Sequence, residues 1–221
     1  MSFLNVAPQA CCLWNMRRSE AVLLAVFAGH PISGQAQTTR VANSSKNKGD
    51  RGEREAVRVC VSLVPDLVVP DAMRMLGAGR REDIGDLKVF PDTAVQVKNC
   101  ADVGAALRQA AVGAQRQARH GRMDFALGMA PIPRARAGSV RWLASCLFWP
   151  DDTLAHDEIA RFGSPGEAVA HLRNEKLGVP RDRRVAIVER HGTDTIVVAP
   201  IEAWFAAYRK TTGRIAVAVA G

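Results

Sequence analysis

Four residues of this chain have the types and spacing for phosphoryl chemistry. Asp86 opens a short β-like run, "DLKVF", and a second run, "AVQVK", ends in Gln96-Val97-Lys98. Glu53 lies upstream, one turn before Val57 on the same stripe of an amphipathic segment. Hydrolysing a phosphodiester at neutral pH needs negative groups that hold a hard cation, and Mg2+ prefers oxygen ligands. The ion polarises the phosphoryl oxygen and lowers the pKa of a bound water. A lysine beside it orients or deprotonates that water and offsets charge in the transition state. Asp86, Gln96 and Glu53 can supply the oxygens, and Lys98 the amine. The plainer alternative is that Glu53 caps its helix, Asp86 ends a strand and Lys98 is a surface residue.

These groups meet only if the chain folds to bring them together. "RGEREAVRVCVSLV" carries Val57, Cys60, Val61 and Val64 at helical spacing, with Glu53 on the inward stripe and Glu55 pointing elsewhere. Pro65 and Pro70 break the segment after it. "DLKVF" and "AVQVK" read as two strands joined by a turn at Pro91-Asp92. Strand side chains alternate, so Gln96 and Lys98 share one face and Val97 takes the other. "DVGAALRQAAVGAQRQARH" is a long helix with Val103, Ala106, Leu107, Ala110, Ala111 and Ala114 inward, its small residues suited to close packing. "MDFALGMA" and "VRWLASCLF" are further strands, and "SPGEAVAHLRNE" starts a helix with Ser164 as N-cap and Pro165 behind it. "RVAIVER" and "DTIVVAP" form a hairpin, and "IEAWFAAYRK" a final helix with Trp204 and Phe205 inward. Helix, hairpin, helix, strand implies an α/β class with a central mixed β-sheet flanked by helices.

Residues Lys48 to about Cys146 resemble the PD-(D/E)xK nuclease superfamily, and most resemble its archaeal-type and phage Holliday-junction resolvases. "KGDRGERE" is similar to their Lys-Gly-x-x-x-Glu-Arg-Glu start, which implies a catalytic role for Glu53. "EDIGDLKV" resembles the Gly-Asp-Ile/Leu element and implies a metal-binding Asp86. "VQVKN" occupies the place of Glu-x-Lys, giving Gln96 and Lys98. The small-residue helix and the "MDFALGM" strand come where the family has them. Gln96 stands where the family's usual acid would be. Nucleases resembling restriction enzymes of the Mrr kind also carry Gln-x-Lys. An amide oxygen still ligates Mg2+ but adds no charge, so a weaker metal site is expected.

The resemblance implies a restriction-endonuclease-like core over 48–150, an N-terminal extension and linker over 1–47, and a C-terminal α/β extension over 151–221. It implies a Mg2+-dependent DNA endonuclease, with Mn2+ as the alternative ion, that resolves branched DNA as a Holliday-junction resolvase. Two symmetric cuts across a four-way junction imply a homodimer. The competing expectations are a restriction- or repair-type nuclease on linear duplex, and a catalytically degenerate DNA-binding protein of the same fold.

Composition agrees with a globular chain that has a polyanionic partner. It has 221 residues, 48% hydrophobic and 24% charged, with a net charge of +8. Arg80 and Arg81, beside Gly77 and Gly79, are candidates to grip phosphates, as are Lys48 and Arg51. Arg108, Arg116, Arg119, His120 and Arg122 ring the long helix and its exit, as a solvated face or a DNA-facing groove. Asp83 is a turn acid or a second metal-site acid. Trp142, Trp149 and Trp204 are read as core aromatics, and the five histidines have no partner spacing.

Five cysteines without a CxxC pair imply a reducing compartment and no structural zinc, with Cys60 and Cys146 as small buried thiols. Arg17 and Arg18 precede an apolar run from Ala21 to Gly29, with Gly34 and Ala36 at cleavage-like spacing, which imitates a secretory signal. Glu20 abuts that run and a long non-basic leader precedes the arginines. The expectation is therefore a cytoplasmic protein with an N-terminal extension to about Arg40 and no membrane span. "TTRVANSSKNKGD" is expected to be a polar linker.

Overall fold

Small side chains let one helix lie almost on the sheet, and that contact organises the whole fold. In the computed structural model, which describes residues 44–75, 85–151 and 159–213, helix α2 (Val103–Gly121) crosses strands β3 (Thr93–Val97), β4 (Phe125–Pro131) and β5 (Trp142–Cys146). Ala106, Ala110, Ala111, Gly113, Ala114 and Ala118 form its buried face. A Cβ on Gly128 of β4 would come within 2.6 Å of the Ala110 carbonyl carbon and of Ser145 Oγ, so only glycine fits. Ser145 Oγ, fully buried on β5, donates to the Leu107 carbonyl at 2.9 Å.

The remaining described strands and α-helices are α1 (Ser44–Leu63), β1 (Met73–Arg74), β2 (Leu87–Lys88), β6 (Ile159–Phe162), α3 (Pro165–Leu172), β7 (Val185–Val188), β8 (Ile196–Pro200) and α4 (Ile201–Thr212). The eight strands form one mixed sheet in the order β1-β2-β3-β4-β5-β8-β7-β6. β3 and β4 are parallel and joined through α2, and β6 and β7 are parallel and joined through α3; the other pairs are antiparallel. The described residues form a mixed α/β fold with a central eight-stranded sheet flanked by four α-helices.

Alternation along the strands divides the core. Val95, Val97, Leu127, Met129, Trp142, Ala144, Cys146, Val197 and Ala199 pack with α1 and α4. Leu143, Ala130, Ala186, Val188, Ile196 and Val198 pack with α2 and α3. Val95 and Val97 therefore occupy one face of β3, and Ala94 and Gln96 point to α2 on the other.

The strands of 151–221 continue this same sheet through the β5–β8 pairing. α4 packs on the turn of the β2–β3 hairpin: Phe90 sits 5.2–5.9 Å, ring centre to ring centre, from Trp204, Phe205 and Tyr208. Tyr208 Oη donates to Asp92 Oδ1 at 2.5 Å. Trp142 and Trp204 are buried and Trp149 packs against the same cluster, as core aromatics.

Several elements differ from the sequence expectations. α1 begins at Ser44, inside the segment read as a linker. Its buried row is Gly52, Ala56 and Cys60, continued by Val64 just past its end at the same spacing of four, whereas Val61 is 44% exposed; the apolar stripe is rotated from the one the valines suggested. β1 and β6, of two and four residues, were not anticipated. Ser164 is the N-cap of α3, its side chain accepting from Glu167 N at 3.3 Å. Among the described residues no helix is long and apolar enough to cross a membrane. The signal-like segment, Cys11, Cys12, Arg80, Arg81 and Asp83 lie outside the described residues.

Candidate active site at the β2–β3 hairpin

Gly85 sets the approach of the first acid. Its φ of 136° lies in the left-handed region, and a Cβ there would press on Val95 O and N at 3.1 and 3.2 Å. The chain then turns into β2 with Asp86 N donating to Val95 O at 2.8 Å. This brings the Asp86 carboxylate across the end of β3. Asp86 Oδ2 accepts from Val97 N at 2.8 Å and from the Gln96 side-chain Nε2.

Gln96 is buried, and its position depends on α2. A Cβ on Gly113 would stand 3.0 Å from Gln96 Oε1 and 3.1 Å from its Cγ, so the glycine makes the space this side chain fills. Lys98 continues the strand, its N donating to Met129 O at 2.9 Å, and alternation returns its side chain to the Gln96 side.

Electrostatics ties these residues to Glu53. Burial raises the Asp86 carboxyl above its ordinary value, and repulsion by Glu53 raises it further; the Val97 N–H, the Lys98 charge and the Gln96 amide oppose the shift. Asp86 thus feels one negative and one positive side chain, from α1 and from the residue that follows β3 respectively. Asn99 joins the two elements, its Nδ2 donating to Lys48 O at 3.1 Å and its Cβ packed against Gly52. The four sequence candidates, Glu53, Asp86, Gln96 and Lys98, fall in one neighbourhood.

Sequence reasoning missed two members. Arg74, on β1, donates from Nε to Glu53 Oε2 and from Nη2 to Asp50 Oδ1. Asp50 stands one turn before Glu53 on α1, and that i, i+3 spacing was the available signal. Nothing local marks Arg74, which is 21 residues from Glu53 on a two-residue strand.

Among the described residues no group of three or more His, Cys, Asp or Glu side chains is placed to hold a metal ion. The donor set is smaller: Asp86, Glu53 with one oxygen on Arg74, and the Gln96 amide. Mg2+ is commonly held by one or two carboxylates and keeps several waters. Asp86, half-buried and repelled by Glu53, and Glu53 itself are the two carboxylates of this set that could serve such an ion.

The basic candidates separate. Lys48 and Arg51 are exposed on the first turns of α1, near the acids. Arg116, Arg119, His120 and Arg122 are exposed on the C-terminal part of α2, which packs through Ala114 and Ala118 on Ala94 and Ala126. That is the start of β3 and β4, at the opposite end of β3 from Lys98. Arg108 turns away to donate to Thr193 Oγ1 at 3.1 Å, beside a cleft of about 520 Å3 that shares no residue with the acid cluster. Burial pushes the Cys60 thiol up to about 12 and raises that of Cys146 as well, so neither supplies a thiolate. No family model, curated protein or solved structure matches this chain.

Proposed function

We propose that this protein is a divalent-metal-dependent DNA endonuclease with a restriction-endonuclease-like core, acting on branched DNA as a homodimer. One observation carries the reading: the half-buried Asp86 carboxylate at the lip of the β2–β3 hairpin accepts from the Val97 N–H and the Gln96 amide, with Glu53 repelling it and Lys98 attracting it. The order of α1, the β2–β3 hairpin, α2 and β4 agrees with the family that the motifs resemble. A bound Mg2+ or Mn2+ supplies positive charge to the phosphoryl oxygens. Asp86, Glu53 and the amide oxygen of Gln96 would hold that ion. Lys98 orients the attacking water and offsets charge on the phosphorane-like transition state.

A second reading is favoured by two bonds. Gln96 donates to Asp86, and Arg74 engages Glu53, so both acids already have protein partners. A DNA-binding protein that lacks cleavage would be arranged in this way. Nicking of supercoiled plasmid, with Mg2+ or with EDTA, tests the choice. Metal-dependent nicking that Asp86→Asn removes supports the endonuclease; DNA binding without nicking under Mg2+ or Mn2+ supports the second reading.

A further inference from the structure

We infer that the loop between β4 and β5, residues 132–141, is the arm that holds the DNA backbone beside Asp86 and Lys98, through Arg134 and Arg136. This rests on the DNA-enzyme reading above and adds the surface that grips the substrate. The placement comes from the sheet. Lys98 is bonded to Met129, and β4 runs two residues beyond Met129 to Pro131 before the loop begins. At a rise of 3.3 Å per residue, the neck of the loop starts about 7 Å past Lys98, at the same end of the sheet. Arg141, at the returning end, lies 3.9 Å from Glu55 of α1, two residues from Glu53.

The loop is built rather than trailing. Ile132 N donates to Arg141 O at 2.8 Å across its neck, Ser139 Oγ donates to Arg136 O at 2.8 Å, and Arg181 Nη2 donates to Gly138 O. At its tip Arg134 and Arg136 are exposed and have no ion pair among the described residues. Arg134 holds a φ of 54°, a left-handed conformation that a non-glycine residue adopts at a cost. Two unpaired guanidinium groups on a pinned loop beside an acid cluster suit a polyanion that must be drawn past those acids. The arginines at the α2 exit stand at the other end of β3 and are excluded from this role.

The test uses the full chain and labelled DNA, as a four-way junction and as the matched linear duplex, with binding followed by anisotropy in EDTA across a salt series. Wild type should show a steep log–log salt slope, about 0.9 per phosphate contacted on duplex DNA. The double variant Arg134→Ala/Arg136→Ala should lower that slope by about one to two and weaken binding roughly 10-fold or more, with unchanged thermal stability. Arg134→Lys/Arg136→Lys should keep the slope, because charge rather than fork geometry carries it. Arg116→Ala/Arg119→Ala should change neither quantity. A wild-type slope that survives loss of both loop arginines overturns the arm and leaves the enzyme reading standing. Loss of slope in the lysine variant as well would also overturn it, as an effect of loop shape. A flat slope in wild type overturns the arm and the DNA reading together.

Discussion

Gln96 Nε2 donates to Asp86 Oδ2 across the β2–β3 hairpin, and the same oxygen accepts the Val97 backbone N–H. The amide therefore serves a carboxylate where the resembled family would place a second acid. Two protein donors hold Asp86 in place, yet burial and Glu53 still raise its pKa. The site is organised around a carboxylate whose charge is incompletely compensated.

Gln96→Glu should expose that imbalance. The substitution removes a donor and sets two carboxyl groups within hydrogen-bonding reach, where they cannot both ionise without repulsion. Without metal at pH 7 the variant should melt below wild type, and Mg2+ or Mn2+ should restore it more than they shift wild type. Metal titrations followed by thermal melting check this; identical shifts in both proteins would contradict it.

Asp86→Asn should stabilise the metal-free protein at neutral pH. Because the folded pKa lies above the ordinary 3.8, the fold favours the protonated carboxyl. That favourable contribution is complete below 3.8 and is lost as pH rises through the raised folded value. The asparagine keeps an acceptor for Val97 N and carries no charge. Its advantage over wild type should be present at pH 7 and fade as pH falls toward 3.8, measured as denaturant midpoints. A pH-independent difference would contradict this account of Asp86.

Two glycines at the contact of α2 with the sheet should separate stability from activity. Gly128→Ala sets a Cβ 2.6 Å from helix backbone and should cost about 2 kcal/mol or more in chemical denaturation. Gly113→Ala meets first the Gln96 side chain, at 3.0–3.4 Å, and gains roughly 0.5–1 kcal/mol of helix propensity. Its stability should stay within about 1 kcal/mol of wild type while cleavage falls, because the displaced side chain belongs to the site. Equal behaviour of the two variants would contradict the assigned role of Gly113.

The C-terminal helix should matter to the site through packing. Phe90 is buried among Trp204, Phe205 and Tyr208, at the turn of the hairpin that carries Asp86 and Lys98. Phe90→Ala should cost about 3–5 kcal/mol. A loss below about 1 kcal/mol in urea denaturation would show that α4 does not anchor the hairpin.

The hairpin was legible because alternation and turn residues are local signals: Gln96 and Lys98 on one face, Val97 on the other, and Pro91-Asp92 between the strands. The small-residue face of α2 was legible for the same reason. Arg74 was not, because its meaning comes from pairing with Asp50 and Glu53 across the Pro65–Pro70 segment. β1 and β6 are too short to show a period, and they exist through their pairing with β2 and β7. The α1 stripe was misplaced because Val61 outweighed Ala56 in hydrophobicity, although the small residue is the one that fits against the sheet. The service of α4 to the hairpin is a contact across more than 100 residues, and no motif announces it.

The central claim is tested most directly by cleavage of a labelled four-way junction beside the matched linear duplex, with and without Mg2+, by wild type and Lys98→Ala. In the proposed mechanism Lys98 acts on the water and the transition state, so its loss should lower the Mg2+-dependent rate by about 100-fold or more while leaving DNA binding and thermal stability in place. Wild type should cut the junction in preference to the linear duplex, and only with the metal. Cleavage by Lys98→Ala at the wild-type rate, or no cleavage of either DNA by wild type with Mg2+ or Mn2+, would contradict the account.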